Sequence, residues 1–349
     1  MALTDTIRRA DRATVLKLAA LCLVALPLAA GFFGHVHPAL DSFSHFRVHL
    51  AVLLVIVAVP LFATRFLKVG ALGAFFGIMA VASTSGTVPV PGVGMAYAPL
   101  YPPVPEQPVY SLLQLNLRFD NEDPSRTLSL IGRVQPDVIT LNEASEPWHE
   151  RLALIANAYP YSILCPFPNR VWGVAILSRR PFAKGTTPRC DPRGAFAVAS
   201  IDFGGQTVDI ASLHLGWPWP YEQAWQIGGL TDDLGRLGPT AILAGDLNAT
   251  PWSQTTAHVA AAGSVTLMPS PGATWLPFGL PEALRFAGLP IDQVFATPTI
   301  TMHGISRLES VGSDHLPVIV QFSLRPGAGP KGTGETATAS TGQVERPGG

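Results

Sequence analysis

From Tyr110 onward the sequence predicts an α/β (α+β) sandwich, preceded by a membrane region of three transmembrane helices. Three observations carry this. Short apolar runs such as Ala241–Ala244, bounded by Gly238-Pro239 and Gly245, are too brief for helices and suit strands buried on both faces. Segments with apolar residues at helical spacing lie among them, and a hairpin signal at Gly204-Gly205 argues against a purely parallel sheet. The chain is also unusually apolar, 48% hydrophobic against 13% charged over 349 residues, and the excess lies at its N-terminal end.

Thr14–Gly34, Val48–Thr64 and Val69–Val88 are the three candidate spans, measured against the roughly 20 apolar residues that cross a bilayer. A cleaved signal peptide explains the first alone, but two more apolar segments follow closely and argue for anchoring. Arg8, Arg9 and Arg12 precede the first span, and Arg65 and Lys68 separate the second from the third. Positive-inside logic puts both groups in the cytoplasm and everything after about Pro89 outside. His35, His37, Asp41 and His45 in the outer loop fit no standard metal spacing.

Seven prolines between Pro89 and Pro108 favour an extended, semi-rigid spacer. The organisation read from these features is a membrane region over 1–88, a linker over 89–109, a catalytic domain over 110–324 and a disordered tail over 325–349, which has too few large apolar residues to fold. Within the domain, helices are expected at Pro124–Val134, Pro147–Ala158 and Pro220–Leu237, each with apolar residues at helical spacing. Strands are expected at Gly173–Ser178, Ala195–Phe203, Gln206–His214, Gln293–Ala296, Thr299–Leu308 and Pro317–Leu324. Cys165 and Cys190 could pair in an oxidising compartment, whereas two cysteines in a large domain are more often unpaired, and the pairing stays open.

The polar residues that end the apolar runs carry the chemistry. Asn116 closes Tyr110–Asn116, Glu143 follows Asp137–Asn142, His214 closes Val208–His214, and Gly245-Asp246-Leu247-Asn248 follows the 241–244 run. Asp292 and the Ser313-Asp314-His315 cluster flank the last expected strands. Turns favour Asp and Asn for local hydrogen bonding, and that plainer reading holds for any one of these taken alone. Together, carboxylates, amides and two histidines at strand ends supply hard oxygen ligands and proton carriers, the set wanted for Mg²⁺-assisted attack on a phosphate.

In this order, Asn, Glu, His, Asp-x-Asn, Asp and Asp-His, the stretch Tyr110–Leu324 resembles the endonuclease/exonuclease/phosphatase superfamily, and with its anchor it is similar to the membrane-anchored bacterial YafD-like branch. The resemblance implies a DNase I-like, four-layer sandwich of two mixed β-sheets flanked by helices, in a bacterial inner membrane protein with its domain on the periplasmic face. It implies Mg²⁺, or Mn²⁺ in its place, with Glu143 as the main ligand and Asn116 and Asp314 assisting. It implies that Asp246 orients or deprotonates the attacking water and Asn248 holds the phosphate or that water. His315, fixed by Asp292, would stabilise the charged transition state or move a proton, and His214 would act on the leaving group. Two departures, Gln293 where relatives carry His or Tyr and Val174 where many carry Asn, bear on the substrate more than on the reaction.

The substrate class is open among a lipid headgroup, a small phosphodiester and nucleic acid. Between Tyr110 and Arg325 there are 14 Arg plus Lys and 18 Asp plus Glu, 14 − 18 = −4, a balance that does not favour nucleic acid, whose binding draws on a basic footprint. Arg179 and Arg193, with Arg170 and Arg180, could form a local phosphate-facing patch, and Trp217 in Trp217-Pro218-Trp219-Pro220 could stack on a base or sit at a membrane interface. A metal-dependent phosphomonoesterase and a membrane module that kept the fold without the chemistry are the alternatives. No sequence feature points to a protein partner.

Overall fold

Alternation along each strand decides how this sequence layers. In β1 (Tyr110–Asn116), Leu112 faces one way while Leu113 and Leu115 face the other, because successive side chains on a strand point to opposite faces. The structure, a computed structural model, describes residues 11–86, 97–165 and 173–325. The Arg8–Arg9 pair, Arg170, part of the expected linker and nearly all of the expected tail lie outside these residues.

Among the described residues, twelve strands make two six-stranded mixed sheets. The first comprises β1, β2 (Val138–Asn142), β3 (Tyr161–Cys165), β4 (Val174–Ser178), β11 (Ile300–Arg307) and β12 (Val318–Leu324), in the order β11-β12-β1-β2-β4-β3. The second comprises β5 (Arg189–Cys190), β6 (Phe196–Asp202), β7 (Thr207–His214), β8 (Ala241–Asp246), β9 (Thr266–Leu267) and β10 (Asp292–Ala296), in the order β5-β6-β7-β8-β10-β9. In each sheet one central pair is parallel, β1 with β2 and β7 with β8, and the other neighbours are antiparallel.

Three apolar cores follow from this alternation. Leu112, Val138, Ile210, Ile242 and Val294 meet between the sheets. Leu113, Ile139 and Leu141 pack under helices α5 (Pro124–Val134) and α6 (Glu146–Ala153) through Ile131 and Trp148. Leu213, Leu243 and Phe295 pack under α7 (Gln223–Gly235) and α8 (Gln254–Gly263) through Leu230 and Val259. The result is the helix–sheet–sheet–helix order expected from the sequence. Helix α6 is shorter than expected: Leu154, Ile155 and Ala156 donate to the carbonyls three residues back, so the helix tightens and stops. Cys165 and Cys190 are joined in a disulfide that ties β3 of one sheet to β5 of the other.

The N-terminal region departs from the three straight spans expected of it. Helix α1 (Arg12–Ala30) and the stretch Leu67–Ser85, which begins with α4 (Leu67–Ala82), are each 19 residues long, with mean hydropathies of 2.1 and 1.6. Between them, α2 (Pro38–Ser44) and α3 (Arg47–Ala58) meet at a 65° bend and reach span length only as a pair. Twelve residues of α3 rise about 18 Å, short of a hydrocarbon core of about 30 Å. Close approach holds α3 against α4, since a Cβ on Gly77 would stand 2.7 Å from the carbonyl oxygen of Ala51.

The bend docks this region onto the sandwich. Asp41 of α2 accepts hydrogen bonds from the backbone N–H groups of Gln254 (2.8 Å) and Thr255 (3.0 Å), placing a carboxylate at the N-terminus of α8, where the helix dipole favours it. Trp252 Nε1 donates to the Ser44 carbonyl (2.7 Å), Thr250 N to His45 Nδ1 (3.3 Å), and Ser42 Oγ to the Trp219 carbonyl (3.1 Å). Asp41 and His45, expected in an exposed loop, are buried in this contact.

Candidate active site

The inter-sheet face turns polar at one end of the sandwich. Gln114 and Asn116 continue the face of Leu112 on β1; Asn142 ends β2 and pairs with Asn116. On the second sheet, His214 ends β7 opposite Asp246 at the end of β8, and Asp292 at the start of antiparallel β10 also pairs with Asp246. Gly245 makes this approach possible, since a Cβ there would lie 1.8 Å from the Leu213 carbonyl oxygen.

Two carboxylates converge on one amide. Asn116 Nδ2 donates to Glu143 Oε1 at 3.0 Å and to Asp246 Oδ2 at 2.9 Å, while its Oδ1 accepts from Arg118 N. Glu143 Oε2 accepts from Phe119 N at 2.8 Å, and Asp246 Oδ1 from Asn248 N at 2.8 Å. Glu143 (φ 54°) and Asn248 (φ 47°) both sit in the left-handed region, uncommon for residues other than glycine and a form of strain that gathers at functional sites. Burial raises the Glu143 carboxyl against the hydrogen bonds from Asn116 and Phe119. Burial also raises Asp246, to about 7, although the nearby His315 opposes the shift.

Opposite them stands a buried acid–imidazole pair. His315 Nδ1 lies 2.8 Å from Asp292 Oδ2, and its Nε2 lies 3.4 Å from Asp246 Oδ2. Burial disfavours the imidazolium, but Asp292 and Asp246 outweigh it and raise His315 to about 10. Asp292 Oδ1 accepts from Gln114 Nε2 at 3.1 Å. Ser313 Oγ donates to the Asn116 carbonyl and accepts from His315 N, pinning the loop before β12 to the end of β1. His214 Nε2 is 3.8 Å from Asp246 Oδ2, and burial, with the neighbouring His315, lowers it to about 3, so it is neutral at pH 7.

Asn116, Glu143, His214, Asp246, Asn248, Asp292, Asp314 and His315 all gather at this end. Asp314 Oδ2 accepts from Trp275 Nε1 at 3.0 Å, and Asn248 Nδ2 donates to the Leu215 carbonyl at 2.8 Å. Trp217 stands at the rim, its ring edge-on to Trp275 with centroids 6.1 Å apart. Arg193 lies on the turn before β6 near His214, but its guanidinium sits over the Trp225 ring at 4.5 Å. Arg179 is not part of the site. Its strand β4 starts at Val174, opposite Asn142, and runs away from the cleft, so Arg179 lies a strand length off, about 15 Å, with Nη1 donating to the Gln135 carbonyl. Arg180 accompanies it, paired with Asp137, so no basic patch forms across the described arginines.

Sequence reading passed over Gln114 and gave no role to Asn142. Asn142 Oδ1 accepts from Gln114 Nε2 (2.9 Å) and Asp246 N (2.8 Å), while its Nδ2 donates to the Leu213 carbonyl (3.1 Å), so one amide bridges both sheets beneath the carboxylates. The signal was available: Gln114 stands two residues before Asn116, on the same face of a strand whose other central residues, Leu112, Leu113 and Leu115, are leucine.

Asp246, Asp292 and His315 each place one ligand atom within 4.8 Å of the others and could hold a metal ion. Asp292 and Asp246, however, favour the imidazolium form of His315, which has no free nitrogen to offer, and Asp292 is already matched by His315 and Gln114. Glu143 is the less compensated acid, held by the neutral Asn116 amide and Phe119 N, whereas Asp246 also faces His315 at 3.4 Å. Hard carboxylate and amide oxygens suit Mg²⁺, Mn²⁺ or Ca²⁺, and the buried Glu143 carboxylate calls for positive charge that Asn116 cannot provide.

A comparison with curated proteins finds no match. Among solved structures, the chain is similar to an endonuclease/exonuclease/phosphatase from Beutenbergia cavernae DSM 12333, with TM-score 0.50 and 23% identity over 62% of this chain and 72% of that one, a likeness of DNase I-like fold. It is similar also to humanized D. rerio TDP2 (TM-score 0.49, 20% identity, 62% and 99% covered) and to the 3′ phosphatase NExo from Neisseria (TM-score 0.49, 17% identity, 61% and 99% covered). The Endonuclease/Exonuclease/phosphatase family model matches residues 113–315. Because that match runs from within β1 to His315 itself and spans more than half of the sequence, the chain belongs to the endonuclease/exonuclease/phosphatase family and is a hydrolase of phosphate-ester bonds.

Proposed function

We propose that the chain is a membrane-anchored phosphodiesterase that uses Mg²⁺, or Mn²⁺ in its place, for in-line attack of water on phosphorus. The observation that carries this is the convergence of Glu143 and Asp246 on the single Asn116 amide, facing the His315–Asp292 pair. Glu143, with Asn116 and Asp314, would hold the cation, which supplies charge stabilisation to the phosphate oxygens. Asp246, raised to about 7, is poised near neutrality to orient the attacking water and take its proton. Asn248, fixed through Leu215, lies where it can position the phosphate or that water. His315, held charged by Asp292 and Asp246, faces the charge that builds on the phosphorane. His214 remains neutral beside Asp246 and is suited to assist the leaving oxygen by hydrogen bonding.

The same reading makes 110–324 the catalytic unit and the first 88 residues a three-pass anchor, with the bent α2–α3 pair as the second pass, the N-terminus in the cytoplasm and the sandwich on the outer face of a bacterial inner membrane. That architecture agrees with a YafD-like, membrane-anchored branch of the family. Trp217 and, more distantly, Arg193 remain candidates for substrate contact at the rim.

The test is hydrolysis of bis(p-nitrophenyl) phosphate by the full chain in detergent, titrated with Mg²⁺ and Mn²⁺. EDTA should abolish turnover. Glu143→Gln should shift the metal dependence to higher concentration and lower turnover by roughly 10²-fold or more, as loss of a main transition-state charge stabiliser does. Full activity in EDTA would end this mechanism.

A further inference from the structure

Two neighbouring apolar cavities lie between the catalytic end of the sandwich and the flank of helix α3. The nearer, about 260 Å³, is lined by Asn248, Trp275, Trp217, Trp219 and Ile291 among others. Asn248 N donates to Asp246 and Trp275 Nε1 to Asp314, so two of its lining residues are bonded directly to the carboxylate cluster. The farther, about 710 Å³, shares His45 and Leu289 with the first and continues between Phe286 of the sandwich and Val48, Val52, Leu53 and Ile56 of α3. Val48, Val52 and Ile56 recur every four residues and so form one stripe, about 12 Å long from first to last. None of the described residues lining either cavity is Lys, Arg, Asp or Glu.

Resting on the phosphodiesterase reading above, we propose that the substrate is a phospholipid of the surrounding bilayer, reached from the side. Its acyl chain lies along the Val48–Val52–Ile56 stripe, the glycerol region passes His45 and Leu289, and the phosphodiester reaches the cluster of Glu143, Asp246 and His315. Three features fix this occupant. The far cavity is walled by a helix of the membrane region, on residues that are 49% (Val52) and 60% (Ile56) exposed and would otherwise face lipid tails. Phe286 of the farther cavity is 83% exposed, and Trp217 and Trp219 of the nearer one are also exposed, aromatic side chains of the kind that settle at a membrane interface. A domain balance of 14 − 18 = −4 and an uncharged passage suit a chain-bearing monoanion and oppose a polyanionic strand.

The docking bonds of Asp41, Ser44 and His45 give the path its rigidity, because they fix the head of α3 directly beside the Asn248–Trp252 loop. In the reaction the oxygen of water forms a new bond to phosphorus as one ester P–O bond breaks. The water proton passes to Asp246, which returns it to solvent, and the departing alkoxide takes one proton from solvent beside neutral His214, so one water is consumed and no oxidant or further reactant enters.

The experiment uses the full chain reconstituted with Mg²⁺ into vesicles of phosphatidylethanolamine and phosphatidylglycerol, with bis(p-nitrophenyl) phosphate and single-stranded DNA as water-soluble comparisons. Val52→Trp fills the groove from the helix side and Ala273→Trp from the sandwich side. Each should lower the ratio of phospholipid to soluble-diester turnover by roughly tenfold or more, the equivalent of overpacking a fitted site. Melting curves identify a variant that has lost its fold, and the other then decides. Hydrolysis of soluble diester or DNA without phospholipid turnover, or a ratio that neither folded variant changes, would overturn the lipid proposal and leave the phosphodiesterase reading standing. Loss of all hydrolysis in the wild type would instead overturn that reading.

Discussion

Replacing Asp292 by Asn removes the carboxylate that lies 2.8 Å from His315 Nδ1 while keeping its shape. The Asn oxygen can still accept from Gln114 Nε2, which turns its NH₂ toward His315. The imidazole must then accept at Nδ1 and become neutral, or remain a buried cation facing Asp246 alone at 3.4 Å. In either case the alkaline limb of the kcat profile, set by His315 at about 10 in the wild type, should move toward the ordinary histidine range. The folded-state pKa is raised above 6.5, so the pair's contribution to stability is complete below pH 6.5 and disappears as pH rises through about 10. Breaking a buried pair costs about 3–5 kcal/mol, so Asp292→Asn should lower Tm by roughly 6–20 °C at pH 6 and by much less above pH 10. On the chemical side kcat should fall about 10²- to 10⁴-fold, His315→Ala should cost a similar factor, and the double variant should lose little beyond the worse single one, as groups acting as a unit do. The assay is kcat against pH on bis(p-nitrophenyl) phosphate, using protein whose melting curve has been recorded. An unmoved alkaline limb with near-normal kcat in folded Asp292→Asn, or simple multiplication of the two losses, would refute the role given to this pair.

Two further outcomes bear on topology and the disulfide. A periplasmic reporter fused after Val88 should be active and a cytoplasmic one silent; the reverse would overturn the positive-inside reading built on Arg12, Arg65 and Lys68. Cys190→Ser opens a bridge spanning 25 residues and should cost about 3 kcal/mol, or roughly 6–12 °C in Tm, while an unchanged Tm would show that the pair adds nothing to stability.

The strands that carry the chemistry were legible because their burial is two-sided: the 110–116, 208–214 and 241–246 runs have few polar residues except at the end where the inter-sheet core opens. Helix α5 was found over its full range because its apolar stripe is clean. Strand β3 was missed because its first two residues are exposed at a sheet edge and leave little alternation to read, and β5 and β9 because two residues carry no period. Helix α8 was missed since its Ala-rich run lacks a strong apolar face, and two of the three N–H groups capped by side chains at its start are held by Asp41, more than 200 residues away. Arg179 illustrates the opposite failure. Its charge is plain in the sequence, but the antiparallel direction of β4, which carries it away from the cleft, depends on pairing that no local pattern specifies.

The site's placement follows from a repeated chain path. Each half runs strand, helix, parallel strand, helix and two antiparallel strands: β1-α5-β2-α6-β3-β4, then β7-α7-β8-α8-β9-β10. In both halves the parallel pair occupies the sheet's centre, and its two carboxyl ends fall at the same end of the sandwich, where Asn142 of one half bonds Asp246 N of the other. The first half thereby delivers Asn116 and Glu143, and the second His214 and Asp246. Asp292 and the Ser313–His315 loop reach the same end from antiparallel neighbours, one as the start of β10 and the other as the approach to β12. A one-residue slip of β1 against β2 would turn Asn116 toward α5 and bring Leu115 or Leu117 to the carboxylates, because side chains alternate strictly between faces. The leucines that pack β1 under α5 and α6 thus do more than bury surface: by fixing the register, they hold the Asn116 amide between the two acids.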